Sequence, residues 1–301
     1  MVYEYAVDPN SLYEWSRLRL IADGVGVPKG RLVAEYPGTW KKTVMQLLSG
    51  KLPIERSRLV SQYQRIKPHL IHPHRLFDSG HDWLINAETV QEASPFQAIV
   101  AAENPRARDY ILKIDELDDT ITLWRTSPNA VVERKAASMA NAVRFLLQLA
   151  YDVVLVDKNF VPGPRFLRPF GQFMECCRGT RNLKPPRIRL IVEADGAVPN
   201  DPFERNCALY LAPLIPSSMS CEVIRVREKI SPAEKLHNRY ILTDRGGVQF
   251  GVGLDDADGD EGQTDDVTLL SQDSFDRRWR QYAQSQGFDM VCQLTIAGTK
   301  V

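Results

Sequence analysis

The chain has no excess of either charge: 38 Lys and Arg are matched by 38 Asp and Glu over 301 residues. No global field therefore draws it to nucleic acid or to an anionic membrane, and any attraction to phosphate has to be local. Cysteine is scarce. The five, Cys176, Cys177, Cys207, Cys221 and Cys292, show no CxxC spacing, and the start Met-Val-Tyr-Glu-Tyr lacks the basic-then-apolar order of a leader peptide. A disulfide framework is not expected, and a reducing, cytoplasmic setting is. No apolar run approaches the roughly 20 residues that span a bilayer, so no transmembrane segment is expected. What is there is enough length to bury a substantial core, in one large or two moderate domains.

Residues 1–95 read as a separate, mostly helical N-terminal domain, winged-helix-like or bundle-like. Asp8-Pro9-Asn10 can cap a helix carrying Leu12, Trp15, Leu18 and Leu20. Gly38-Thr39 opens a second helix over Trp40–Leu48, and Pro53 opens a third through Ile66, which Pro68 stops. Around that third helix Lys41, Lys42, Lys51, Arg56, Arg58, Arg65, Lys67 and Arg75 face a single acid, Glu55. Two readings stand: a solvated helix face, or a phosphate-binding patch whose affinity falls steeply with salt. Four of the five histidines then crowd into thirteen residues, His69, His72, His74 and His81, with Asp78 among them. His72-Pro73-His74 fits helix-borne ligand spacing poorly and no cysteine is near. A polar loop between domains is the expectation, with no metal and no cofactor.

From residue 96 to 301 strands and helices alternate. Phe96–Ala102, Tyr110–Ile114 and Thr120–Trp124 read as strands, and Pro128 opens a long helix through Val131, Met139, Val143 and Leu147. Val153–Val156 is a continuous apolar run ending in Asp157, the pattern of a strand covered on both faces. A helix over 164–177, a strand over 187–193, a helix over 203–212 and a strand over 221–226 follow. A further strand at 267–270, a helix over 274–284 and a last strand over 290–296 close the chain. The order predicts an α/β fold, a mixed sheet with helices on both faces. Between sheet elements, residues 255–266 hold seven acids in twelve. In EF-hand register from Asp256, Glu261 stands where Gly is required and Val267 where Glu is, so a mobile acidic loop is expected instead.

The densest pattern is Leu236-His237-Asn238-Arg239-Tyr240-Ile241-Leu242-Thr243-Asp244, a Gly246-Gly247 turn, then Val248-Gln249-Phe250-Gly251-Val252-Gly253-Leu254-Asp255. Two short β-prone runs about a glycine-bearing turn predict a hairpin. His237 and Arg239 are two apart at the mouth of a strand, so imidazole and guanidinium share a face, projecting from a sheet edge into an open hollow. Gly251 and Gly253 end the second strand near the same place, where missing side chains would let a ligand approach the backbone.

His237-x-Arg239, four residues, Asp244, six residues and Gly251 resembles the phospholipase D superfamily signature, His-x-Lys, four residues, Asp, six residues, Gly-Ser and then Asn. The chain departs from it in Arg239 for Lys, Val252 for Ser, and Leu254 or Asp255 at the Asn position. It looks most like the divergent single-motif branch, which includes the domains that follow MIT domains in membrane-remodelling proteins and bacterial nucleases whose two copies meet across a dimer axis. The resemblance covers roughly residues 105–298. It implies His237 as nucleophile or general acid with Asp244 fixing the motif, and phosphate held by Arg239, Asn238, Gly251 and Gly253.

One imidazole cannot be nucleophile and acid at once, so metal-independent phosphodiesterase or nuclease chemistry would need two His237 side chains meeting in a homodimer. Arg239 offers phosphate a bidentate fork but is not a substitute for the lysine point charge, and Asp255 nearby would repel an anion. Two functional classes follow. One is a phosphodiester-binding or phosphodiester-cleaving protein acting on nucleic acid, by analogy a component of a prokaryotic antiviral defence complex. The other is a non-catalytic adaptor binding a partner protein or a lipid headgroup.

Overall fold

The computed structural model describes residues 1–72, 75–179, 184–194, 199–229, 235–236, 238–259, 262–284 and 287–301. The chain divides into two units, Val2–Ser127 and Pro128–Val301. Among the described residues no helix is long and apolar enough to cross a membrane.

The N-terminal unit runs β1 (Tyr3–Val7), α1 (Trp15–Gly24), β2 (Arg31–Ala34), α2 (Trp40–Ser49), α3 (Pro53–Ile66), β3 (Leu70–Ile71), α4 (Trp83–Ala93), β4 (Ala98–Ala101) and β5 (Ile111–Lys113). The five strands form an all-parallel sheet in the order β3-β2-β1-β4-β5. Tyr5, Val7, Val33, Ala98 and Val100 pack on one face with Leu18 and Ile21 of α1, Val44 of α2 and Leu59 of α3. Ala6, Ala34, Ile99 and Ile111 point the other way, onto Trp83 and Ala87 of α4. Strands buried on both faces are what a parallel α/β sheet requires.

This unit differs from the expected helical domain of 1–95 in content and boundary. The three helices of its first half are where expected, but β1 and β2 carry Glu4 and Arg31 in their midst and at their start, which breaks the apolar pattern a strand reading relies on. Both charges are buried and answered by distant groups. Glu4 takes a two-pronged bond from Arg75 at 2.5 and 2.9 Å, and Arg31 donates to the carbonyls of Trp124 and Gly24 and to Asp119. The boundary moves to 127/128 because β4 pairs with β1, tying residues 98–113 to the first strand of the chain. Thr120–Trp124 is a turn rather than a strand, with Trp124 edge-on to Tyr5.

The C-terminal unit runs β6 (Asn129–Glu133), α5 (Ala136–Leu149), β7 (Asp152–Val156), α6 (Pro164–Arg178), β8 (Arg187–Glu193), α7 (Asn200–Leu211), β9 (Ser220–Glu228), β10 (Arg239–Thr243), β11 (Gly246–Phe250), β12 (Thr264–Leu269), α8 (Gln272–Arg278) and β13 (Phe288–Ala297). Its sheet has the order β13-β9-β8-β7-β10-β11-β12-β6, parallel through β7, β8 and β9 and antiparallel elsewhere. The protein is α/β with a mixed sheet here, as the alternation predicts. Val154, Val156, Tyr240 and Leu242 face Phe275 of α8 and Tyr282. Val153, Leu155 and Ile241 alternate to the opposite side and are equally buried, so the sheet is covered twice. The helix expected from Pro128 starts eight residues later: β-branched Val131 and Val132 extend as β6 against β12, and α5 begins at Ala136.

Candidate phosphate-binding site

The expected hairpin is present, but β10 is no edge strand. It lies between β7 and β11, with Tyr240 opposite Val156 on one side and Arg239 opposite Phe250 on the other. This register sets Arg239 beside Asp157, the residue that follows β7; Nε stands 3.9 Å from the carboxylate. The same end of the sheet collects the loop after β11, the start of β12, the residue after β6, and α6. They meet there because β10, antiparallel to β7, begins where β7 stops, and β11, β12 and β6 continue the antiparallel alternation.

Four buried carboxylates form the floor. Asp157 accepts the backbone N–H of Leu254 at 2.8 Å and of Asn159 at 2.9 Å. Asp265 accepts those of Gly251 and Val252 at 2.9 and 3.0 Å. Asp255 accepts from Arg134 at 2.9 Å and from Arg165. Asp256 takes both arms of Arg168 at 2.6 Å, and Asp258 receives a third bond from the same guanidinium at 2.5 Å. Burial pushes the carboxyls of Asp157 and Asp265 above their ordinary value, and their N–H bonds only partly offset it. Burial acts on Asp256 the same way, but Arg168 outweighs it and holds that carboxyl below its ordinary value.

The exposed side of this layer carries two half-open arginines and one exposed acid. Arg165 keeps 52% of its side chain in solvent and Arg168 45%, with the exposed Asp258 bonded to Arg168, whereas Arg239 is mostly buried at 18% and Asp157, Asp255, Asp256 and Asp265 are buried. Beside Arg168, a cleft of about 490 Å³ opens between Arg134, Lys135, Ala136 and the loop Asp256–Gly259. Carboxylates fix the orientation of the Arg165 and Arg168 guanidinium groups.

The residues singled out by the motif are only partly brought together. Asn238 and Arg239 are at this end of the sheet; His237 and His74 lie outside the described residues. Asp244 is at the hairpin turn, five residues along β10 from Arg239 and so roughly 17 Å away at strand rise. There its Oδ1 accepts the N–H groups of Tyr151 and Asp152 at 2.7 and 3.1 Å, which splices the turn to the start of β7 and gives it no access to chemistry at Arg239. Gly251 and Gly253 do permit close approach, but of the chain's own acids: a Cβ on Gly251 would lie 2.9 Å from Asp265, and one on Gly253 2.1 Å from Asp255. Residues 255–266 are not a mobile strip throughout, since Asp255, Asp256 and Asp265 are buried in ion pairs and backbone bonds; Asp260 and Glu261 lie outside the described residues. Asp255, expected to repel an anion, is buried and paired with Arg134 and Arg165.

Arg134, Arg165 and Arg168 carry no motif. The signal that could have found them is Arg165 and Arg168, three apart on one helix face, set against an Asp255-Asp256 pair that a soluble loop would leave unanswered. His72 faces Glu35 at 3.2 Å and His81 bonds Asp78 at 2.8 Å. Among the described residues no three His, Cys, Asp or Glu side chains are placed to hold a metal ion.

No protein-family profile matches the chain, and no curated protein does. Among solved structures, the archaeal chromatin protein TrmBL2, described as showing a novel mode of DNA binding, is similar at 10% identity and a TM-score of 0.28. That match covers 54% of this chain and 55% of the other, so the chain spans about half the length of the protein it matches.

Proposed function

We propose that the C-terminal unit is a divergent phospholipase-D-like module that binds the phosphate groups of nucleic acid without cleaving them. The observation that carries this reading is the sidedness of the charge layer, with four carboxylates buried, Arg165 and Arg168 half in solvent above them, and Arg239 set at the same sheet end against Asp157. Forks held in place before the ligand arrives lose less side-chain entropy on binding. Turnover is disfavoured by the same layer. The N–H groups of residues 251 and 252, which the resemblance would turn toward a phosphoryl oxygen, are taken by Asp265, and Asp244 stands at the far end of β10.

The test is fluorescence anisotropy of a labelled oligonucleotide against salt. Arg165→Gln and Arg239→Gln should each weaken binding and reduce the slope of log affinity on log salt by roughly 0.7. The oligonucleotide should stay intact without metal. Cleavage that disappears in His237→Ala would overturn the binding-only reading. No binding at all, with a partner protein co-purifying, would favour the adaptor.

A further inference from the structure

The basic stretch around α3 is left unused by the C-terminal site. Trp15, the first residue of α1, lines a cleft of about 430 Å³ with Ser57, Arg58, Ser61 and Gln62 of α3. That volume falls within the roughly 300–1,000 Å³ of small-ligand sites. Trp15 is 42% exposed, whereas Trp40, Trp83 and Trp124 of the same unit are buried. The Arg19 guanidinium, itself paired with Asp23 at 3.2 Å, stands over that ring at 5.0 Å from its centroid.

The charge here contrasts with the rest of a chain that sums to zero. Lys51, Arg56, Arg58, Arg65 and Lys67 face one acid within their own stretch, Glu55. Lys51 pairs with that Glu55 and Arg65 with Asp23. Among the described residues Arg56 and Arg58 join no ion pair, and Arg58 is the one that lines the cleft.

We propose that this cleft binds single-stranded nucleic acid, with a backbone phosphate on Arg58 and the Ser57 and Ser61 hydroxyls and a base stacked on Trp15. An exposed aromatic beside a cation and small hydroxyls is a sequence-tolerant platform for an unpaired base and its phosphate. A duplex hides its base faces and gives Trp15 nothing to stack on. Leu52, which caps α3, and Ile54 on its first turn are exposed, which makes an anionic lipid surface the competing ligand. The cleft lining argues against it, since one ring among hydroxyl, amide and guanidinium groups is not the continuous apolar face that lies in a bilayer interface.

The experiment uses the full chain and a fluorescein-labelled oligothymidylate of roughly 12 nucleotides, within the span such modules cover. Trp15→Ala should weaken binding roughly 5- to 100-fold while Trp15→Phe retains most of it. Arg58→Gln should lower the salt slope by roughly 0.7. A duplex of equal length should compete poorly. Both side chains are at the surface, so an unchanged melting temperature separates lost binding from lost folding. The series is repeated on an Arg165→Gln/Arg239→Gln background. Binding that persists there and still depends on Trp15 and Arg58 supports the cleft whatever becomes of the C-terminal site. Binding indifferent to both residues overturns it, as does complete loss on that background. Equal dependence on Trp15 and Arg58 for phosphatidylserine vesicles, without oligonucleotide binding, would assign the surface to lipid instead.

Discussion

Asp255→Ala removes the acid on which the charge layer turns. Arg134 and Asp255 each keep only 8% of their side chains exposed, so the variant strands a guanidinium under the sheet end with Gln263 and one backbone carbonyl for company. Breaking a buried pair from one side costs about 3–5 kcal/mol, most of it the desolvation of the survivor. For a unit of this length that corresponds to a fall of roughly 6–20 °C in Tm. Arg165 on the same carboxylate is half exposed, and Arg165→Ala should cost no more than about 1 kcal/mol. The assay is pulse labelling of thiols across a urea series. All five cysteines lie in the C-terminal unit, four of them buried, so label uptake follows the opening of that unit alone. Arg134→Met/Asp255→Leu, which replaces the pair by apolar side chains, should recover most of the loss. The reasoning fails if Asp255→Ala costs less than about 1 kcal/mol, or if the double variant loses the sum of the two single ones.

Other outcomes follow from the same geometry. Asp256 has a folded carboxyl held below its ordinary value, so its stabilising contribution is present above pH 3.8 and is lost as pH falls through the lower folded value; Arg168→Met should flatten that acid limb in a urea-midpoint titration. Asp157 and Asp265 are shifted upward, so they favour the folded state below their ordinary value and cease to do so as pH rises through the folded one, and Asp157→Asn should raise stability at neutral pH relative to acid pH in the same titration. Gly253→Ala must displace the Asp255 carboxylate, and about 1–3 kcal/mol of destabilisation by denaturant titration is expected, with oligonucleotide affinity falling as Arg165 loses its anchor. Asp244→Ala should cost about 1–2 kcal/mol through two uncapped N–H groups yet leave oligonucleotide affinity unchanged; a loss of binding without loss of stability would return Asp244 to the site.

How much was legible in the sequence differs between the two units. In the C-terminal unit, Val153–Val156, Arg187–Glu193 and the hairpin of Arg239–Phe250 are apolar runs bounded by turn residues. Local pattern alone sets such strands, and they appear where expected. In the N-terminal unit β1 and β2 escaped because Glu4 and Arg31 interrupt them, and only their distant partners, Arg75, Trp124 and Asp119, make a buried charge tolerable. The sequence by itself determined the alternation of elements, the α/β class and the presence of Arg239 at the mouth of a strand. Tertiary structure alone decided that β10 is interior to its sheet, that Asp244 serves a turn, and that Asp255 and Asp265 hold arginine and backbone groups. The bonds of Asp255 to Arg134 and Arg165 and of Asp244 to Tyr151 join residues 90 to 121 positions apart, and no local periodicity encodes which of them will meet.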